Sequence, residues 1–103
     1  MQIWKMMMNK TKRAVRRTSE FKRDYKKAKK QGRNISQLLK VIEMLANDEP
    51  LPESHRDHAL IGNWVGHREC HVTPDWLLLY RKTDGEVLIL LLVRVASHSN
   101  LDI

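Results

Sequence analysis

Between positions 57 and 76 the sequence reads DHALIGNWVGHRECHVTPDW, which sets His58, His67 and His71 beside Asp57, Asp75, Trp64 and Trp76. His98 stands near the C-terminus and must be carried back to this stretch by the fold if it is to join it. Imidazole has an ordinary pKa of about 6.5, so one histidine can be neutral and another charged at cellular pH. A set of them with a carboxylate therefore suits metal-free general acid and base catalysis. Zinc would use the same ligand types, but there is no paired-cysteine knuckle and no HExxH, so no metal and no cofactor is expected.

Positioning these groups falls to a small chain. Its 103 residues suffice for one domain with one modest core. The lone Cys70 cannot close an internal disulfide, and no signal peptide is evident, which points to a reducing cytoplasm. The longest apolar run, Val87 to Val93, is far below the roughly 20 residues that span a bilayer, so no membrane partner is expected. Net charge is +7 and is unevenly spread. Residues 1–33 hold thirteen Lys and Arg against Glu20 and Asp24, while the remainder is net acidic. A basic module of this kind fits a polyanion held by salt-sensitive contacts; a solvated helix face that binds nothing is the plainer alternative.

The elements follow from periodicity. Ala14 and Val15 suggest a short N-terminal strand, after which Thr18 or Ser19 can cap a helix carrying Phe21, Tyr25 and Ala28 on one side. Lys26, Lys27, Lys29 and Lys30 occupy most other positions of that helix, and Gly32 ends it. Asn34 and Gln37 resemble a capping box for a second helix with the stripe Ile35, Leu38, Leu39, Ile42 and Leu45. The short link makes the two an antiparallel hairpin. Three strands are expected next, from Trp64 to Val72, Trp76 to Lys82 and Glu86 to Ala96, the last two joined through Thr83, Asp84 and a Gly85 free to take positive φ. The fold class is α+β: a short N-terminal strand and a helical hairpin packed on a small antiparallel β-sheet, with 1–103 as one domain and 1–11 as a possible extension.

The succession Leu51-Pro52, Asp57-His58-x-Leu60-x-Gly62-x-Trp64, Arg68-x-x-His71-Val72-x-Pro74-Asp75-Trp76-x-Leu78-x-Tyr80 and Ser97-His98 resembles the YafQ family of bacterial toxins, within the RelE/ParE superfamily. The likeness runs from about residue 14 to 102, and the central block is specific. The resemblance implies an mRNA interferase of a type II toxin–antitoxin system, cutting mRNA in the ribosomal A site. It implies His58, His71, Asp75 and His98 at the catalytic positions and Trp76 as the active-site aromatic. It also implies a DinJ- or RelB-like antitoxin as partner, through which alone the protein would meet DNA.

Such cleavage needs a base for the ribose 2′-OH, an acid for the departing 5′-oxygen and donors for phosphate charge. His58 as base and His98 as acid fit, with His71 and Asp75 orienting them or exchanging roles. Trp76 is expected to stack on a base, Arg68 to stabilise the phosphorane, and Lys26, Lys27, Lys29 and Lys30 to hold RNA. His55 and His67 read as surface residues, Trp64 as a core aromatic, Cys70 as buried, and Asp57 as a loop cap. One departure stands out: the family has an aromatic four positions after the last histidine, where this chain has Asp102. A ParE-like gyrase inhibitor without catalysis, or a toxin that only binds antitoxin or RNA, is the competing reading.

Overall fold

A computed structural model describes residues 11–101. β1 (Ala14–Arg17) leads into α1 (Ser19–Lys30) and α2 (Ile35–Ala46). After these come β2 (His58–Ala59), β3 (Arg68–Thr73), β4 (Trp76–Asp84), β5 (Leu88–Ala96) and the single turn α3 (His98–Leu101). The sheet runs β1-β5-β4-β3-β2, with β1 parallel to β5 and every other pair antiparallel. The expected extension at the N-terminus and Asp102 lie outside the described residues.

The helix boundaries obey local chemistry. Thr18 Oγ1 accepts the Phe21 N–H at 3.0 Å and donates to the Val93 carbonyl at 2.7 Å, so one hydroxyl caps α1 and ties its start to β5. Gly32, at φ +73°, supplies the left-handed residue that turns the chain out of α1. Asn34 Oδ1 then accepts the Gln37 N–H at 3.1 Å and starts α2.

One sheet face packs against the helices. Val15, Phe21, Leu38, Ile42, Leu45, Cys70, Val72, Leu78, Tyr80, Leu90 and Leu92 form a continuous core there. Leu77 and Leu79 are also fully buried but do not belong to that cluster, as strand alternation requires of residues on the second face.

Charged groups close the core at the far end of the sheet. Arg13 is 6 % exposed and donates through Nε to Asp48 at 2.6 Å, while its Nη1 reaches Asp84 at 2.8 Å and the Ile89 carbonyl at 3.2 Å. Lys82 Nζ adds a bond to Asp48 at 2.8 Å. The cluster joins the entry to β1, the end of α2 and the β4–β5 hairpin. Arg13 thus belongs to the scaffold rather than to a polyanion-binding surface.

Two strand expectations need correcting. The segment from Trp64 is not yet strand: Gly62–Trp64 forms a 3-10 turn, and positive φ at Gly62 (65°) and Gly66 (88°) interrupts extended pairing until Arg68. The hairpin is set two residues later than expected, since Asp84 pairs with Leu88 and leaves Gly85, Glu86 and Val87 as the turn. Gly85 is not among the positive-φ residues, so its left-handed freedom is not what makes this turn.

Candidate active site

The histidines gather through β2, β3 and the neighbouring strand ends. His58 on β2 pairs with Glu69 on β3, and Glu69 and His71 alternate onto the same face. Residues two apart on a strand are about 7 Å apart, so His58 and His71 occupy neighbouring stations on that face. His71 pairs with Leu77, and Leu77 pairs with Ala96. Ala96 therefore lies two strand spacings, about 10 Å, from His71. His98 opens α3 just beyond it, and Asp75 sits in the turn between β3 and β4 at the same end of the sheet. The topology thus places His98 at the same end of the sheet as His71 and Asp75.

Hydrogen bonds fix the imidazoles in a common manner. His58 Nδ1 lies 2.7 Å from the Arg56 carbonyl and His71 Nδ1 lies 3.3 Å from the Pro74 carbonyl. His55 Nδ1 meets the His71 carbonyl. A carbonyl can only accept, so in each case Nδ1 carries the hydrogen and Nε2 becomes the nitrogen that exchanges protons. Arg56 takes φ +47° to present its carbonyl in this way, a left-handed conformation uncommon for a residue with a side chain.

Glu69 is the functional candidate that sequence reasoning missed. It is 4 % exposed, its Oε1 lies 3.5 Å from His58 Nε2, and its Oε2 is buried without a hydrogen-bond partner among the described residues. A buried carboxylate beside an imidazole can pair with the imidazolium once a proton is taken up. The signal was its place two residues before His71, yet a single glutamate on a strand reads as solvated.

Several expectations change. Trp76 is 1 % exposed and lies beneath Arg33, whose guanidinium carbon is 5.6 Å from the ring centroid. With its faces covered it cannot stack on a nucleobase. Arg68 alternates onto the helix side of β3, where Nε donates to Asp57 at 3.2 Å and to the Tyr80 hydroxyl at 3.3 Å. It points away from His58 and His71, so the phosphorane role does not fit it. Asp57 is more than a loop cap, because Tyr80 Oη also donates to it at 2.6 Å. Burial first, then that bond, pushes the Tyr80 hydroxyl pKa up. The trio anchors the segment that delivers His58.

His55 and His67 are half-buried rather than surface residues. His55 and His71 line one cleft of about 300 Å³ with Gln37 and Thr73. His67 packs edge-on against Trp64, their centroids 5.4 Å apart. Trp64 itself is half-exposed on the 3-10 turn, outside the core expected for it. Cys70 is buried as expected, and desolvation pushes its thiol pKa up, away from thiolate chemistry. Among the described residues no three His, Cys, Asp or Glu side chains are grouped so as to hold a metal ion.

The basic helix does not present one surface. Lys27 turns into a cleft with Asp24 and Gln31, whereas Lys26, Lys29 and Lys30 line another with Lys22 and Tyr25. A helical repeat of 3.6 residues separates side chains that a linear charge count merges.

A sheet whose second face carries histidines and whose first face packs against two helices, one of them strongly basic, has close counterparts. Residues 13–103 match the model of a family described as the bacterial toxin of the type II toxin–antitoxin system, YafQ. The mRNA interferase toxin YafQ of Escherichia coli K12 is 34% identical over 90 residues, covering 86% of this chain and 95% of that protein. The crystal structure of YafQ from E. coli BL21(DE3) superimposes with a TM-score of 0.79 at 33% identity, covering 86% of this chain and 97% of the other. The E. coli DinJ–YafQ toxin–antitoxin complex matches with a TM-score of 0.78 at 34% identity, over 87% of this chain and 97% of that one. The class is thus a bacterial toxin of a type II toxin–antitoxin system. Within it, the chain belongs to the YafQ family.

Proposed function

We propose that this toxin is an endoribonuclease that cuts mRNA, with the ribosomal A site as the place of cleavage and no metal in the reaction. The observation that carries the reading is the common fixing of His55, His58 and His71 through Nδ1, which leaves each Nε2 to handle protons. The E. coli relative bears the name mRNA interferase, which supports the same chemistry.

In this mechanism His58 Nε2 takes the proton from the ribose 2′-OH, and Glu69 steadies the resulting imidazolium. The 2′-oxygen attacks phosphorus, the bond from phosphorus to the 5′-oxygen breaks, and His98 protonates that oxygen. The products are a 2′,3′-cyclic phosphate and a 5′-hydroxyl. His71 and Asp75, in β3 and in the following turn, orient the two catalytic imidazoles or exchange roles with them. Lys26, Lys29 and Lys30 supply sequence-independent attraction to RNA, which should weaken with salt. A DinJ-like antitoxin is the partner that holds the toxin silent, and it is the toxin's only link to DNA.

Primer extension on mRNA programmed into ribosomes tests the reading. Discrete stops with the folded wild-type protein are expected. Their absence, with or without ribosomes, together with inhibition of gyrase supercoiling, would transfer the chain to the non-catalytic reading.

A further inference from the structure

Behind the catalytic end of the sheet lies a second polar cleft, of about 260 Å³. One wall comes from α1 and the turn after it, with Lys27, Gln31 and Arg33; the other comes from the exit of β5, with Ser97 and Asn100. Trp76 forms the floor. Lys27, Arg33 and Arg94 contribute three positive charges against the single carboxylate of Asp24.

Those charges are not equivalent. Asp24 is fully engaged by Arg94, at 2.6 Å from Nε and 3.1 Å from Nη2, and by the Val95 N–H at 3.1 Å. That pair is internally neutral and holds the exit of β5 in place. Lys27 and Arg33 have no ion pair among the described residues. Arg33 is also half-buried and held over the Trp76 ring, so its planar fork is preorganised before any ligand arrives. A fixed guanidinium, an ammonium and neutral donors from Gln31, Ser97 and Asn100 match the oxygens of a phosphodiester.

The cleft's position selects the ligand. Trp76 directly follows Asp75 and Ser97 directly precedes His98, so the floor and one wall of the cleft continue into two residues of the proposed active site. We propose that the cleft is a phosphate subsite for the RNA backbone, holding through Arg33 and Lys27 a phosphate that flanks the one being cleaved. This rests on the ribonuclease reading above. It also gives buried Trp76 a role, since the ring orients the guanidinium instead of stacking on a base.

The test measures kcat and KM for cleavage of mRNA on programmed ribosomes by wild type, Arg33→Gln and Arg33→Lys, with thermal melting to verify folding. Each enzyme is given RNA carrying one uncharged methylphosphonate at successive positions around the cleavage site. Arg33→Gln is expected to raise KM about tenfold with kcat nearly kept, and Arg33→Lys to recover part of the loss. One flanking methylphosphonate should cost wild type a similar factor and cost Arg33→Gln nothing further. Penalties that multiply at every position, or an Arg33→Gln enzyme equal to wild type, would overturn the subsite while leaving the ribonuclease reading intact. Unchanged cleavage with weakened binding of the antitoxin would assign the cleft to an acidic protein segment and equally overturn it. A folded wild type that cuts no RNA would remove the ribonuclease reading and the subsite together.

Discussion

The two faces of the sheet are built on different principles. On the helix face, Phe21, Leu38, Ile42, Leu78, Tyr80 and Leu90 are packed with almost no exposure, and each is held by many weak contacts. On the other face, His58 is exposed and His71 half-buried, and each imidazole is oriented by a hydrogen bond from Nδ1 to a backbone carbonyl. The difference teaches how a chain this short supports chemistry. The packed face makes the strands rigid, and that rigidity lets single hydrogen bonds aim the reactive groups opposite. Substitutions in the helix-face core should therefore cost stability and those of the histidines activity, with Leu77 and Leu79 adding buried packing on the histidine-bearing side.

The sharpest way to break that division is His58→Ala. Loss of a positioned acid or base typically costs about 10²–10⁴-fold in rate. Cleavage measured per folded molecule should fall by that factor while the thermal midpoint stays near that of wild type. A large fall in midpoint would mean that the imidazole of His58 carries stability as well.

Leu38→Ala probes the other side. Leu38 is wholly buried, and removing a core leucine costs about 2–5 kcal/mol through lost transfer energy and a residual cavity. Urea unfolding should show that loss, whereas the cleavage rate of the fraction still folded should match wild type. Reduced turnover in that folded fraction would show the two faces to be coupled.

The smallest expected effect concerns the charge cluster at the sheet's far end. The Arg13 hydrogen bond first, and Lys82 after it, holds the Asp48 pKa at about 2, against an ordinary 3.8. Because the folded value is depressed, the stabilisation is present above about pH 4 and is lost as pH falls through about 2. Asp48→Asn should cost about 1 kcal/mol at neutral pH after allowance for solvent screening, and little at pH 2. Denaturant melts at both values check this, and a cost independent of pH would show that shape rather than charge is what Asp48 provides.

How much of this was legible depended on the range of the interactions. Thr18, Gly32 and Asn34 announced the helix ends because caps bond within a turn. Cys70 was correctly read as buried, and strand alternation puts it on the face opposite His71. The parallel pairing of β1 with β5 joins Ala14 to Ile89, and the Arg13–Asp48 bond spans 35 residues; neither leaves a local pattern. For the candidate site, the family resemblance supplied His58, His71, Asp75 and His98 as the expected catalytic positions. Burial decided the rest: Glu69 was hidden beside His58, Trp76 was covered by Arg33, and Arg68 was drawn to Asp57 and Tyr80. A linear sequence carries the chemistry of a side chain but not the neighbour that takes it up.

The end groups of the cleaved RNA test the central claim most directly. Attack by the 2′-hydroxyl must leave a 2′,3′-cyclic phosphate on one fragment and a 5′-hydroxyl on the other, and a single 2′-deoxynucleotide at the cleavage position must abolish the cut. Fragments ending in 5′-phosphate, or undiminished cleavage of the deoxy-substituted RNA, would contradict the mechanism assigned to these histidines.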